Sequence, residues 1–415
     1  MWKAIPCGLL ALLAACSTPC DAPGGLCAPL QPNTSSVPAH PRAAEAPVQV
    51  VQEPRIPPAK VETAAIDMPG ATPLATAPAT GTPIRIALLL PMKSDTLGPP
   101  ADALRAGFMA GYERDRTGFI VNLIETGGSP EEALDAFLAA QKDNDIIVGP
   151  LARPAVSAVA VSGAVSKPTV ALNHPEGRGE GAIPPQMVVI GLSIEDEARQ
   201  VADWAAAEYP GANALIVSGT SSWQRRIAGA FSAQWKQSHG KVQLAELGAS
   251  NGYLSEAGIN QLKLRVDTER PTLIFAALDA DQLRQVRNML GPEIPMFGTS
   301  SVNPGSEPGS ALADFDGVRL LDMPWQVQRD NAAVMVYPRW QGGNHTLDME
   351  RLYALGIDAY RVARQLALSP GAPFQMDGVT GHLSLSYEGG RAHFSRAASD
   401  ALVQGGAFKL VEPGR

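Results

Sequence analysis

Ile84-Arg-Ile-Ala-Leu-Leu-Leu90, closed off by Pro83 and Pro91, is a short, almost unbroken apolar run. A strand that is apolar on successive residues needs cover on both faces, so it reads as a buried strand of a parallel sheet. The next ninety residues keep to that reading. Ala101–Asp115 has helical spacing, with Ala103, Leu104, Gly107, Phe108, Gly111 and Tyr112 on one side. Then come strand Phe119–Ile124, helix Pro130–Gln141, strand Asp145–Gly149, helix Arg153–Gly163 and strand Thr169–Leu172. Unbroken strand–helix alternation predicts a doubly wound α/β layer.

A second series opens with a short strand at Met187–Ile190. Helix Ile194–Glu208 follows, with Glu195, Asp196 and Glu197 in its first turn, where acidic side chains suit the helix dipole. Strands are expected at Ala212–Val217, Val242–Leu247, Thr272–Ala277 and Pro295–Gly298, separated by helices at Trp223–Ser238, Leu254–Val266 and Ala280–Leu290. Glu350–Leu366 is strongly amphipathic, and Thr380–Tyr387 with Arg391–Phe394 predicts a hairpin around Glu388-Gly389-Gly390. The expected architecture is α/β and bilobed, of the type I periplasmic-binding-protein kind, spanning 84–415 with two doubly wound parallel-sheet lobes. Lobe 1 takes about 84–192 plus a return segment of about 330–370; lobe 2 takes about 193–329 plus the C-terminal hairpin. Open α/β sheets place ligands at the carboxyl ends of their strands. The candidate cleft lining is therefore Lys93, Ser94, Asn173, His174, Thr220, Ser221, Asp279 and Thr299.

The other end of the chain has a different grammar. Lys3 precedes an apolar run from Ile5 to Leu12, and Leu13-Ala-Ala-Cys16 follows it. The run is too short to span a bilayer but has the length of a signal-peptide core. The last four residues resemble a bacterial lipobox, which implies cleavage after residue 15 and a lipid on Cys16. Ser17 stands where an Asp would mark inner-membrane retention, so the resemblance implies the outer membrane, with the bulk of the chain in the periplasm. All four cysteines precede residue 28. Cys20 and Cys27 are left either to pair across Pro23-Gly-Gly25 in an oxidising compartment or to stay free thiols. Residues 16–83 are dominated by Pro, Ala, Thr and Val and have no sustained period, so a lipid-anchored disordered linker is expected. In polyproline II, at about 3.1 Å per residue, such a segment would reach on the order of 200 Å.

Several segments of 84–415 are similar to the LppC/LpoA family of penicillin-binding protein activators. They are Ile86-Ala-Leu-Leu-Leu-Pro91, Ala106-Gly-Phe-Met-Ala-Gly-Tyr112, Ile147-Val-Gly-Pro-Leu151, Pro295-Met-Phe-Gly-Thr-Ser-Ser301, Met323-Pro-Trp325, Arg351-Leu-Tyr-Ala-Leu-Gly-Ile-Asp-Ala-Tyr360 and Gly378-Val-Thr-Gly-His-Leu-Ser384. The segment from Arg351 is the most specific. The resemblance implies a bilobed domain without chemistry or cofactor, on an outer-membrane lipoprotein that stimulates a class A penicillin-binding protein. Characterised members carry a helical-repeat domain before the bilobed one; here the Pro/Ala-rich segment occupies that place. A solute-binding lipoprotein of an ABC importer is the alternative, for which Ser94, Thr220, Ser221 and Asp279 could hold a carboxylate and an ammonium.

Other chemistry finds little support. Gly248-Ala-Ser-Asn-Gly252 matches a nucleophile elbow in form, but His345, His382 and His393 sit in no recognisable motif. Six scattered histidines offer no pair at metal-ligand spacing. A net charge of −8 argues against a nucleic-acid partner. Asp358, with Arg351, Arg361 and Arg364 on the same helix, reads as a solvated face or a charged recognition stripe. Trp325 is expected in the core, and Trp340 either there or at a partner surface.

Overall fold

The computed structural model describes residues 81–177, 183–238, 240–305, 312–343 and 345–411. The expected signal segment 1–15, the lipidated Cys16, the Cys20–Cys27 pair and nearly all of the 16–83 linker lie outside those residues. Lobe 1 runs β1 (Ile84–Leu90), α1 (Gly98–Arg114), β2 (Phe119–Glu125), α2 (Pro130–Asp143), β3 (Ile146–Val148), α3 (Arg153–Val161), β4 (Thr169–Ala171) and β5 (Met187–Val189). The five strands are parallel, in the order β2-β1-β3-β4-β5. The apolar run of β1 is explained by its inner position. Ile86, Leu88 and Leu90 enter the core on one face, while Ala87 and Leu89 enter the core on the other. Local chemistry starts the helices: Ser129 Oγ accepts from Glu132 N at 3.1 Å, Pro130 stands in the first turn, and Glu131 and Glu132 follow.

Lobe 2 repeats the scheme with α4 (Ile194–Glu208), β6 (Asn213–Gly219), α5 (Ser222–Gln237), β7 (Lys241–Leu247), a two-rung hairpin β8 (Ala249–Ser250) and β9 (Tyr253–Leu254), α6 (Glu256–Glu269), β10 (Leu273–Ala277), α7 (Ala280–Leu290), β11 (Met296–Gly298) and β12 (Val318–Asp322). The chain then returns to lobe 1 through α8 (Pro324–Val327), α9 (Ala332–Met335) and the long α10 (Leu347–Leu368). Strands β13 (Phe374–Asp377), β14 (His382–Glu388) and β15 (Arg391–Ala397) form a small antiparallel sheet. Finally β16 (Ser399–Gln404) and β17 (Ala407–Leu410) extend the second sheet, whose order is β17-β16-β12-β11-β10-β6-β7. Its first five strands in chain order are parallel, and β16 and β17 are antiparallel additions.

Two expectations need correction. The hairpin expected to complete lobe 2 belongs to lobe 1: Met376, Leu383 and Leu385 join the core of that lobe, with Tyr387 and Phe394 packed against it. It is the next hairpin, β16–β17, that completes lobe 2. Asp358 lies on neither a solvated face nor a recognition stripe, because it is 0 % exposed. Trp325 is fully buried, with the Arg339 guanidinium 4.2 Å above its ring, and Trp340 is buried as well.

Helix α10 reaches lobe 1 by meeting α1 at backbone distance. A Cβ on Gly356 would collide with the carbonyl oxygen of Leu104, and one on Gly107 with that of Tyr353. Glycine is required at both positions because only its missing side chain lets the helices come this close. Past the crossing, Tyr360 sits edge-on to Phe108, with ring centroids 5.4 Å apart, and is wholly buried. Replacing Gly356 with Val should therefore force α1 and α10 apart and lower stability by about 1–3 kcal/mol. Urea unfolding of the purified chain measures this; an unchanged midpoint and slope would mean that the crossing tolerates separation.

Candidate functional site

The main chain passes between the lobes at β5→α4, β12→α8 and β15→β16. Polar side chains tie these crossings together. Asp358, on α10, accepts from Val379 N (3.1 Å), Thr380 N (2.8 Å), Thr380 Oγ1 (2.7 Å) and Arg361 Nη1 (3.1 Å). Thr380 Oγ1 in turn accepts from Arg396 Nε at 2.9 Å. The rest of that guanidinium donates to Ile190 O (2.6 Å) and Gly191 O (3.1 Å) on the first crossing. From lobe 2, Gln200 donates through Nε2 to Arg396 O and accepts at Oε1 from Ala398 N, so the first and third crossings are stitched to one helix. A buried carboxylate must have its hydrogen bonds supplied by protein, and Asp358 obtains four.

A second network secures the middle crossing. Asp322, at the end of β12, accepts from Asn303 Nδ2 (2.7 Å) and Arg351 Nη2 (3.0 Å), while Arg351 Nη2 also donates to Ser300 O at 2.8 Å. Arg351 is on α10, so this pair again joins the lobes. Glu197 on α4 accepts from Ser300 N at 2.9 Å. Loss of hydration, then repulsion by Asp322, push its carboxyl up to about 7 from the ordinary 4.5.

The residues expected to line a cleft sit at the carboxyl ends of five strands, but most spend their polar atoms on their own loops. Lys93 and Thr220 are exposed. Ser94 Oγ accepts from Leu97 N at the entry to α1 (3.2 Å), and Asp279 Oδ1 caps α7 through Gln282 N (2.9 Å). Thr299 Oγ1 pairs with Ser301 Oγ at 2.9 Å. Ser221 Oγ donates to Gln224 Oε1 (2.8 Å), and Gln224 Nε2 donates to Gln282 Oε1 (2.6 Å). These two buried glutamines bridge the starts of α5 and α7, where a ligand anion would otherwise find helix N-termini. Nothing in the patterning of the sequence marks them. Asn173 and His174 differ, because they open onto a groove of about 1000 Å³ between the lobes. His174 Nε2 donates to Gly191 O at 3.3 Å, and burial holds its ring below the ordinary value.

The elbow-like segment is a plain turn. Asn251 and Gly252 occupy the left-handed region at φ 51° and 83° between β8 and β9, with Ser250 exposed beside them. The rings of His345 and His382 hydrogen-bond near themselves, to Trp340 O and to Asp377. Among the described residues no cluster of side chains could hold a metal ion, and no helix is long and apolar enough to cross a membrane.

Comparison with known proteins places this architecture. The family model described as "LppC putative lipoprotein" matches residues 59–389. The penicillin-binding protein activator LpoA of Photobacterium profundum is 24 % identical over 335 residues, covering 72 % of this chain and 53 % of the relative. The chain thus spans about half the length of the curated relatives it matches. Among solved structures, the C-domain of LpoA from Haemophilus influenzae, described as a regulator of PBP1A, superposes with a TM-score of 0.62 at 21 % identity, over 79 % of this chain and 100 % of that one. A structure described as a "putative branched-chain amino acid ABC transporter" from Chromobacterium violaceum ATCC 12472 gives a TM-score of 0.64 at 32 % identity, covering 77 % and 99 %. The fold is that of the type I periplasmic binding proteins.

The hinge carboxylate yields a pH signature. Below about 4.5 Glu197 is protonated whether the chain is folded or not; between 4.5 and about 7 only the folded chain keeps the proton. That preference stabilises the fold on the acid side and is lost as pH rises through about 7. The melting temperature of the wild type relative to Glu197→Gln should therefore fall across this window. A difference that stays constant with pH would remove Glu197 from the hinge balance.

Proposed function

The chain belongs to the LppC family of lipoproteins, and from that premise we propose that it is a non-enzymatic regulator that binds and activates a class A penicillin-binding protein. In this reading Cys16 carries the lipid, the outer membrane is the anchor, and the Pro/Ala-rich segment lets the bilobed domain work away from it. The observation that carries the reading is the state of the interlobe region. Strand-end hydroxyls and carboxylates are committed to helix starts, a Gln224–Gln282 bridge covers two of those starts, and the Arg351–Asp322 ion pair holds the middle crossing. Such a body suits a rigid docking scaffold better than a solute trap that must open and close. A scaffold of this kind raises synthase activity by preferring the active conformation of its partner. The names of the relatives agree with it.

A solute-binding role is the second reading, favoured by the 32 % identity to the Chromobacterium structure. The two separate cleanly. Adding the purified full chain to a class A penicillin-binding protein should raise the rate of polymerisation of its lipid-linked precursor several-fold; an unchanged rate with a panel of such synthases would sink the regulator. In a thermal-shift screen of free amino acids, a true solute at a hundredfold its Kd should stabilise the fold by about 2.7 kcal/mol. The regulator reading expects no such shift.

A further inference from the structure

The groove beside Asn173 and His174 is set apart from the strand-end loops of lobe 2 and has a charge unlike that of the protein. Its wall on lobe 1 comes from α3, β5 and β15; its wall on lobe 2 comes from α4 and the flank of α5. Four arginines line it, each from a different element: Arg153 of α3, Arg199 of α4, Arg226 of α5 and Arg391 of β15. Among the described lining residues Glu176 and Glu195 are the acidic ones, and Asp196 beside them pairs with Arg199, so four arginines meet three carboxylates on a chain whose net charge is −8. Arg226 is paired with Glu195 at 2.6 Å and Arg199 with Asp196. Arg153 has only a long bond to Pro175 O, at 3.4 Å, and neither it nor Arg391 is in an ion pair among the described residues. Between the arginines lie apolar side chains, among them Ile183, Ala230 and Phe394, interspersed with the polar Asn173, His174 and His393.

We propose that this groove binds a short anionic peptide, a few residues long, whose carboxylates meet the arginines while its apolar body covers the floor between the lobes. The volume of about 1000 Å³ accommodates a ligand of that size. Planar guanidinium groups favour carboxylate or phosphate through paired hydrogen bonds. The choice between them follows from placement. Four guanidinium groups on four separate elements, two of them already engaged by Glu195 and Asp196, offer separate contacts of the kind that carboxylates spaced along a peptide use. Because the walls belong to different lobes, the bound peptide spans them.

Isothermal titration calorimetry of the full chain with an acetylated Glu-Leu-Glu tripeptide tests this, with Lys-Leu-Lys as control. One saturable site for the acidic peptide and none for the basic one is expected. Arg153→Gln and Arg391→Gln should each weaken binding about tenfold, the contribution of one charge-assisted hydrogen bond, whereas Lys263→Gln, on the exposed face of α6, should leave it unchanged. Absence of saturable binding to the wild type, or wild-type affinity in the folded arginine variants, overturns the proposal. Arg391 is an exposed strand residue, so Arg391→Gln remains decisive if Arg153→Gln fails to fold. Synthase stimulation is not part of the readout, so failure here leaves the regulator reading standing, and failure there leaves the groove.

Discussion

A carboxylate with no access to water obliges the chain around it to provide hydrogen bonds, and the side chain of Asp358 dictates much of this molecule in that way. Its oxygens fix the backbone at Val379 and Thr380, in the turn between β13 and β14 of the small sheet. The same threonine hydroxyl orients Arg396 onto Ile190 and Gly191. Removing one member of such a set leaves the others buried and unpaired, which costs far more than the bond itself is worth. One helix, α10, thus carries both the carboxylate of this network and, two turns before it, the Arg351 of the second. The segment from Arg351 is also the segment that joins the lobes.

The consequence for function lies in what a bilobed fold becomes once its crossings are tied. A fold that closes around a solute needs loops at the strand ends with free polar groups and a hinge of low cost. Here the strand-end groups cap helices, and side chains from α4 and α10 brace the crossings. In the regulator reading, binding energy from a partner would go into surface complementarity and not into moving lobes.

Much of the fold is legible in the sequence because apolar runs and helical stripes come from burial on two faces or one. β1 and the inner strands β6 and β10 are apolar almost throughout, and Ser129, Ser193 and Ser255 announce helix starts through bonds to a nearby backbone N–H. Strand β12 is not announced, since only the short 3-10 turn Leu312–Phe315 stands directly before it, and β16 presents Ser399 and Asp400 before its two buried residues, Ala401 and Val403. The hairpin is visible but not its allegiance, because period-two patterning says which residues are inside without saying inside which core. Charge is the hardest to place. Arg351, Asp358 and Arg361 are spaced as a solvent-facing row would be, and only tertiary packing turns the row inward. The groove arginines come from α3, α4, α5 and β15, so no local pattern could gather them.

Lobe 1 is built from both ends of the described chain: the hydroxyl of Tyr360 donates to the carbonyl of Asp115 at 2.7 Å across 245 residues. Any process that delivers this polypeptide from its N-terminus therefore presents β1 to β5 with one sheet face covered by α1 alone until α10 arrives. Loop-closure entropy of that span has to be met before the glycine crossing repays it. Lobe 2, whose parallel strands and helices lie within one contiguous stretch before the final hairpin, is free to assemble first and to hold the place of the hinge.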